Sequence, residues 1–406
     1  MGLRCYYMTE TEWLCEYKIQ AELDSLFCPF EVWEIQGSNA SMGYATHAIF
    51  RYFGKFPPPV ARRFITDFHE PKIGPIIDTM AGSGTTLVEA AILQRKAIGF
   101  DINPLSVLIS NVKVNKVNRL VVEKYLDEYA THMRKGTRKK KAIAALIPAD
   151  RYLDHWFFPE VQKQLALTRM FIDTIADLEI KNVFIAALAA SIRNCSRASR
   201  NMGRMFLDPA IEPVEVCPIV TKRVSKILKG LDELPQNIDA KAIVHNSMEP
   251  LDQKLKTNLI ICHPPYFNVY KYSSIFKFEM LWTGFSPKLI RAKELRESFK
   301  IGKAERVHLY VEDLVKAVNN SADTVTIGGR FVLMMGDTTL REERINTTSL
   351  FIKALEASES IFEIEKFIIR VPKHTEASYA AGQRRDGDQV GVKLQDHILI
   401  LKRRRG

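Results

Sequence analysis

The chain has 406 residues, 46% of them hydrophobic and 26% charged, close to the composition of an average globular protein. That composition excludes wholesale disorder and collagen-like or low-complexity architecture, and the length predicts two or three domains' worth of chain. Fifty-eight Lys and Arg against 47 Asp and Glu leave a net charge of +11, which favours polyanions and makes nucleic acid the first candidate partner.

Residues 1–40 show no clear period and read as an N-terminal extension; residues 1–10 lack the basic-then-apolar pattern of a signal peptide. Three prolines, Pro57-Pro58-Pro59, stop regular structure. Residues 60–68 then carry a helical apolar pattern, with Pro59 in the first turn. Residues 74–77 form a short apolar run ending at Asp78, which reads as a buried strand. A small-residue loop follows at 79–84, a helix at 85–94, and a second strand at 96–100 ending at Asp101. This is one βαβ unit. Asn103-Pro104 turns the chain into a helix at 105–114. From 119 to 239 apolar residues recur at three and four, with basic runs between them, so this stretch reads as a mainly helical insertion. Strand and helix signals alternate again afterwards. Strands are expected at 242–244, 258–262 and 331–335, and helices at 306–323 and 350–358. A closing antiparallel pair is expected at 362–370 and 397–402.

Two motifs carry chemistry. In Asp78-Thr79-Met80-Ala81-Gly82-Ser83-Gly84-Thr85-Thr86, the glycines let the backbone turn tightly and approach a ligand. The helix that follows offers unpaired N–H groups and a positive dipole end. Asp101 ends the next strand, where it can bind ribose hydroxyls. The full Gly-x-Gly-x-x-Gly pattern and the phosphate-loop Gly-Lys-Ser/Thr are both absent, so a small nucleoside ligand fits better than a di- or triphosphate. The second motif, His263-Pro264-Pro265-Tyr266, follows the apolar strand. Its prolines end that strand rigidly and fix the direction of the Pro264 carbonyl toward the ligand crevice of an open α/β sheet. Tyr266 adds an aromatic face.

Together the two motifs resemble the DNA amino-methyltransferases that use S-adenosylmethionine and methylate the exocyclic amino group of adenine or cytosine. The resemblance covers residues 41–118 and 240–402. It includes the run from Thr46-His47 to Lys55-Phe56-Pro57-Pro58, similar to the family's cofactor-side motif, and Ile327-Gly328-Gly329-Arg330-Phe331-Val332-Leu333, similar to its later Gly-Gly turn and strand. It implies an α/β fold: a Rossmann-like methyltransferase sheet with helices on both faces, formed by residues 41–118 and 240–406 and interrupted by the helical insertion at 119–239. It implies S-adenosylmethionine as cofactor, held by Lys55, Phe56, Asp78, Ala81, Gly82, Ser83, Gly84, Thr85, Thr86, Asp101, Ile102 and Ser247. His263, Pro264, Pro265 and Tyr266 become the catalytic motif. His263 and the Pro264 carbonyl accept the two amino hydrogens, and Tyr266 stacks on a base flipped out of duplex DNA. The family usually carries Asp, Asn or Ser where this chain has His263. Neutral imidazole has one acceptor nitrogen and the protonated ring has none, so this role requires the neutral form. The Pro-Pro-Tyr context with Tyr270, Tyr272 and Leu281-Trp282 resembles the cytosine N4 branch more than the adenine N6 branch.

Contact with DNA is expected from the insertion's Arg193, Arg197, Arg200 and Arg204, spaced by three or four as if on one helix face, and from Tyr270 and Tyr272. The alternatives are an adenine N6 enzyme, an RNA base methyltransferase and a non-catalytic nucleic-acid-binding module. No apolar run reaches the length of a membrane span, and none of the six cysteines forms a Cys-x-x-Cys pair, so neither a membrane partner nor a metal is expected. An intracellular site, in the cytoplasm or on the nucleoid, and a cognate restriction enzyme as partner complete the expectations.

Overall fold

The computed structural model describes residues 3–8, 30–35, 41–199, 205–267, 271–296, 306–340, 343–371 and 396–404. Its strands are β1 (Leu3–Met8), β2 (Phe30–Ile35), β3 (Ile76–Asp78), β4 (Ala97–Asp101), β5 (Ala240–Val244), β6 (Thr257–Cys262), β7 (Val325–Met335), β8 (Thr338–Leu340), β9 (Glu343–Ile345), β10 (Phe362–Val371) and β11 (Asp396–Arg403). Nine of them form one sheet in the order β1-β2-β10-β11-β7-β6-β3-β4-β5, and β8 and β9 form a separate hairpin. The five strands from β7 to β5 are mutually parallel, whereas β11 runs antiparallel to both β7 and β10.

The strand order reverses at β3. From there the chain moves outward through β4 to β5, then returns to β6 on β3's other side and proceeds to β7. In an open α/β sheet the crevice beyond the carboxyl ends of the strands at such a reversal is where ligands bind. Here those ends are Asp78 of β3, Asp101 of β4 and Cys262 of β6.

The central strands are apolar on both faces because both faces are covered. All six residues of β6 are buried. Leu259 and Ile261 join one core, while Ile260 and Cys262 join the other. The same alternation separates Val332 and Met334 from Phe331, Leu333 and Met335 in β7. The first core packs beneath the helices Pro58–Phe68, Thr85–Ile92 and Pro104–Val114. The second packs beneath Val307–Asn320 and Thr347–Ala357.

Between β4 and β5 the chain builds helices Arg119–Lys135, Lys140–Leu146, Leu153–Trp156, Pro159–Thr174, Leu178–Cys195 and Val216–Asp232. Their apolar faces, with Val161, Leu165, Phe184, Leu188, Val220 and Val224 buried, are continuous with the first core. The segment therefore shares its interior with the sheet. Two local expectations change. Residues 1–40, read as lacking a clear period, contribute β1 and β2: β2 pairs in parallel with β10, and β1 pairs antiparallel with β2. The helix Leu178–Cys195 ends before the run of arginines is complete. Its C-cap is Ser196, and Ala198 forms an antiparallel bridge to Leu207.

Glu89, on the helix behind the glycine loop, fastens the 44–62 segment to the sheet. Its buried carboxylate accepts from His47 Nε2 at 2.7 Å and from Arg62 Nε at 2.6 Å, and it also accepts from the Tyr44 hydroxyl. Burial pushes the His47 imidazole down to about 4, so at neutral pH the ring is an uncharged N–H donor. Breaking a buried pair by removing one partner costs about 3–5 kcal/mol. Arg62 is 43% exposed, which places Glu89→Ala at the lower end, about 3 kcal/mol, read as a lowered urea midpoint.

Gly84 caps the helix Thr85–Ile92 with φ 76°. A Cβ there would lie 2.9 Å from Ser110 Cβ and 3.1 Å from Ser110 Cα. Gly84→Ala combines left-handed strain with a clash against a neighbouring helix, and should lower stability by about 1–3 kcal/mol in the same measurement. Gly136→Ala has a positive φ but open space around its Cβ, and serves as the control for strain alone.

Candidate active site

The cleft at the reversal point is lined by three groups of residues. The 52–56 segment supplies Tyr52, Lys55 and Phe56; the first loop and β4 supply Asp78, residues 79–83, Thr85, Asp101 and Ile102; the far wall includes Ser247, His263, Pro265 and Tyr272. Counting its open mouth, the cleft encloses about 1010 Å³.

The floor is a loop held by backbone bonds. Ala81 N–H donates to the Phe100 carbonyl at 2.8 Å, and Gly82 N–H donates to Asp101 Oδ2 at 2.8 Å. Gly82 has φ 52° and lies so close to Tyr52 that a Cβ would meet its ring at 3.2 Å. The Ser110 hydroxyl donates to the Gly82 carbonyl at 3.1 Å. The other oxygen of Asp101 accepts Asn103 N–H at 2.8 Å. Even so, burial outweighs these bonds and pushes the Asp101 carboxyl up to about 7. Burial likewise pushes Asp78 up to about 6, opposed by the Met80 N–H that donates to its Oδ1 at 3.1 Å. Two carboxyls that change charge near neutrality thus face one cleft, the kind of perturbation that marks functional sites.

The walls are aromatic and apolar. Tyr52 stacks on Tyr272 with centroids 5.2 Å apart, and the Tyr272 hydroxyl donates to the Phe53 carbonyl at 3.0 Å. Phe56 lies 5.2 Å from the His263 ring. Ser247 donates to the Thr79 carbonyl at 2.9 Å. Lys55 lines the cleft, but its ammonium donates to the His47 carbonyl at 3.0 Å, and burial pulls it down to about 8.

The His-Pro-Pro-Tyr turn leaves β6 at the rim. Tyr310 donates to the Pro265 carbonyl at 2.8 Å, which fastens the turn to the helix Val307–Asn320. His263 Nε2 lies 3.2 Å from the Tyr266 hydroxyl, and that hydroxyl donates to Asp396 at 2.9 Å. Tyr266 is only 8% exposed. Burial pushes the neighbouring Cys262 thiol up to about 12, so that thiol is protonated at neutral pH and is no nucleophile.

Most of the residues expected at the site therefore meet in one cleft. Pro264, Gly84, Thr86 and Tyr266 stand behind its surface: Gly84 and Thr86 at the helix start, Pro264 and Tyr266 within the turn. Tyr272, expected at DNA, lines the cleft. The expectation of one basic helix face is overturned. Arg193 lies in the last turn of its helix and donates to the Ser199 carbonyl at 3.1 Å, half-buried. Arg197 lies beyond the helix, with its guanidinium 4.9 Å from the Phe158 ring. The helix stops at Cys195 because the chain turns there to pair residues 198 and 207. Arg200, Arg204 and Tyr270 fall outside the described residues.

The sequence reading missed Tyr52, Asn246, Lys293, Glu294 and Leu295 at this cleft. Tyr52 lay inside a run already singled out, three residues before Lys55. Residues 293–295 had no local signal. They arrive because Glu294 accepts from both the backbone N–H and the hydroxyl of Ser273, each at 2.8 Å, which draws the end of helix Pro287–Lys293 over the cleft. Among the described residues, no group of His, Cys, Asp and Glu is arranged to hold a metal ion, and no helix is long and apolar enough to cross a membrane.

Residues 23–111 match the family model described as DNA methylase. The chain is 28% identical over 249 residues to the type II methyltransferase M.MvaI of Kocuria varians, covering 56% of this chain and 54% of that protein. It is 22% identical over 292 residues to M.BsoBI of Geobacillus stearothermophilus, covering 64% and 56%. A shorter stretch of 81 residues is 40% identical to M.MjaII of Methanocaldococcus jannaschii, covering 20% and 15%. The matches span about half the length of the Kocuria and Geobacillus relatives. The matched family segment holds the glycine loop, Asp78 and Asp101, the floor of the cleft. Over residues 23–111 the chain is similar to the DNA methylase family.

Proposed function

We propose that this chain is a DNA amino-methyltransferase that moves a methyl group from S-adenosylmethionine to the exocyclic amino nitrogen of a flipped base, cytosine N4 by preference. The observation that carries the reading is that one cleft is bounded by the glycine loop with its two carboxyls and by His263 of the Pro-Pro-Tyr turn. The donor set suits the cofactor. Asp101, ending β4, offers an acceptor to ribose hydroxyls. Ile102, Phe56 and Pro265 offer apolar surface to a flat ring, and Asp78 offers negative charge to an ammonium or sulfonium. When bound, S-adenosylmethionine supplies an electrophilic methyl carbon.

The protein's part is positioning and proton handling. The amino nitrogen of cytosine or adenine is a weak nucleophile because its lone pair is delocalised into the ring. An acceptor on each amino hydrogen draws that pair back toward nitrogen. His263, in its neutral form, and the Pro264 carbonyl are the two acceptors. Tyr310 fixes the turn through Pro265, which limits how far the two acceptors must reorganise when the base arrives. After attack the nitrogen must shed a proton, and neutral His263 can take it. The Cys262 thiol, held protonated by burial, supports direct transfer over a covalent adduct. Arg193, Arg197, Arg200 and Arg204, in the helical insertion 119–239, remain the proposed phosphate contacts, although Arg193 and Arg197 do not share a helix face.

The test is incubation with labelled S-adenosylmethionine and unmethylated DNA, followed by nucleoside analysis. N4-methylcytosine is expected. N6-methyladenine would keep the reaction and change the base. Label in RNA but not DNA would replace the substrate, and absence of cofactor binding would overturn the reading. His263→Ala should lower the single-turnover rate about 100-fold or more with little change in cofactor affinity.

Cofactor affinity carries its own pH signature. The Asp101 carboxyl, raised to about 7 by burial, is mostly protonated below that pH and mostly an anionic acceptor above it. Affinity for S-adenosylmethionine should therefore weaken as pH falls through about 7, by up to about tenfold per pH unit. Asp78, raised to about 6, adds a second step lower down. Titration by calorimetry on Asp101→Asn should show weaker binding and only the lower step. A flat profile from about pH 8 to 5.5 would remove both carboxyls from cofactor binding.

A further inference from the structure

Behind His263 lies a chain of buried groups that the methylation chemistry does not touch. Tyr266 Oη is 3.2 Å from His263 Nε2 and donates to Asp396 Oδ1 at 2.9 Å. Asp396 Oδ2 is 3.1 Å from Arg370 Nε. Tyr266 is 8% exposed, Asp396 5% and Arg370 4%. Asp396 opens β11, and Arg370 is its cross-strand partner on β10. The antiparallel pair at the end of the chain thus delivers an ion pair to the rear of the catalytic turn.

From these contacts we infer that Asp396, held by Arg370 and acting through Tyr266, is a positioning residue that fixes the tautomer of His263 and so determines which ring nitrogen can accept a hydrogen bond from substrate. A tyrosine has one hydroxyl proton. Here it is committed to Asp396, a carboxylate that faces a guanidinium and has no proton to return. The tyrosine oxygen can therefore only accept from His263. A neutral ring satisfies that contact with its proton on Nε2 and its lone pair on Nδ1. The opposite tautomer would point the Nε2 lone pair at an oxygen whose proton is already engaged, leaving a half-buried pair of acceptors face to face. The usual Asp, Asn or Ser at this motif position offers an oxygen acceptor without any tautomer choice. A histidine needs that choice made for it, and the tyrosine three residues on, with its carboxylate, makes it. The effect on rate rests on the methyltransferase reading, whereas the tautomer itself does not.

Two measurements separate these. Protein labelled with nitrogen-15 in histidine, examined at about pH 8 by long-range proton–nitrogen correlation, should show neutral His263 protonated at Nε2, with the signal assigned by its loss in His263→Ser. In Asp396→Asn the new amide can donate to the tyrosine oxygen, which frees the hydroxyl proton for Nε2. Tyr266→Phe removes the acceptor altogether. Asp396→Asn should shift His263 toward the Nδ1-protonated form, whereas Tyr266→Phe, which supplies no donor to Nε2, should leave the ring at the Nε2 preference of a free neutral imidazole; backbone amide spectra should stay native in both. With substrate DNA, Asp396→Asn should lower the single-turnover rate about tenfold and leave cofactor affinity within about twofold. A wild-type ring protonated at Nδ1, or a tautomer unchanged in Asp396→Asn, overturns the inference. A correct tautomer response in a protein that methylates no nucleic acid overturns the proposed function and leaves this inference standing.

Discussion

The hydrogen bond from Gly82 N–H to the Asp101 carboxylate ties the loop after β3 to the end of β4. It lies at the sheet's reversal point and depends on a backbone that only glycine adopts easily, with φ 52° at position 82. The same carboxylate takes Asn103 N–H, and the Asn103 side chain then caps the next helix by accepting Leu105 N–H at 3.0 Å. One acid thus sets the loop, the cleft floor and the start of the helix Pro104–Val114. Its cost is visible in its protonation. Two backbone bonds do not offset burial, and the carboxyl is left near neutrality, ready to be stabilised by a ligand that brings donors.

The cleft's other wall depends on a different kind of constraint. The Pro-Pro turn cannot pair as a strand, so β6 ends at Cys262 and the next residues project over the crevice. The turn is then held from behind by Tyr310 and by the buried Tyr266–Asp396–Arg370 chain. The rear support comes from the last antiparallel strands of the sheet, while the front of the site comes from its first parallel ones. A mixed sheet allows this: β11, inserted antiparallel between β7 and β10, begins at the edge where β6 and β7 end.

Much of this was legible in the residues themselves. Apolar runs ending in acids placed β3 and β4, Asn103-Pro104 marked a helix start, and the glycine loop and Pro-Pro-Tyr turn identified two sides of one cleft. These features are local: they depend on backbone preference, on period and on charge within about ten residues. The arginine run shows where local reading failed. Arg193, Arg197, Arg200 and Arg204 have helical spacing, yet the helix ends at Cys195 and residues 198 and 207 pair instead. Spacing reveals a face only if the helix continues, and here the helix stops and the chain turns to pair residues 198 and 207. Residues 1–40 failed in the opposite way. β2 has little pattern of its own, but it gains order by pairing with β10, more than three hundred residues away in sequence.

By itself, the sequence determined the chemistry of the site: a glycine loop with two strand-end acids, and a rigid proline turn led by His263, because these follow from local conformation and side-chain type. Only the tertiary structure decided which way that chemistry faces. It brought Glu294 and Tyr272 to the cleft wall, placed Tyr266 behind His263 rather than in the open cleft, and set Asp396 against the tyrosine hydroxyl 130 residues away. The reason is physical. A buried carboxylate and a buried hydroxyl must each find a partner, and which partner is in reach depends on how strands far apart in the chain come to lie side by side.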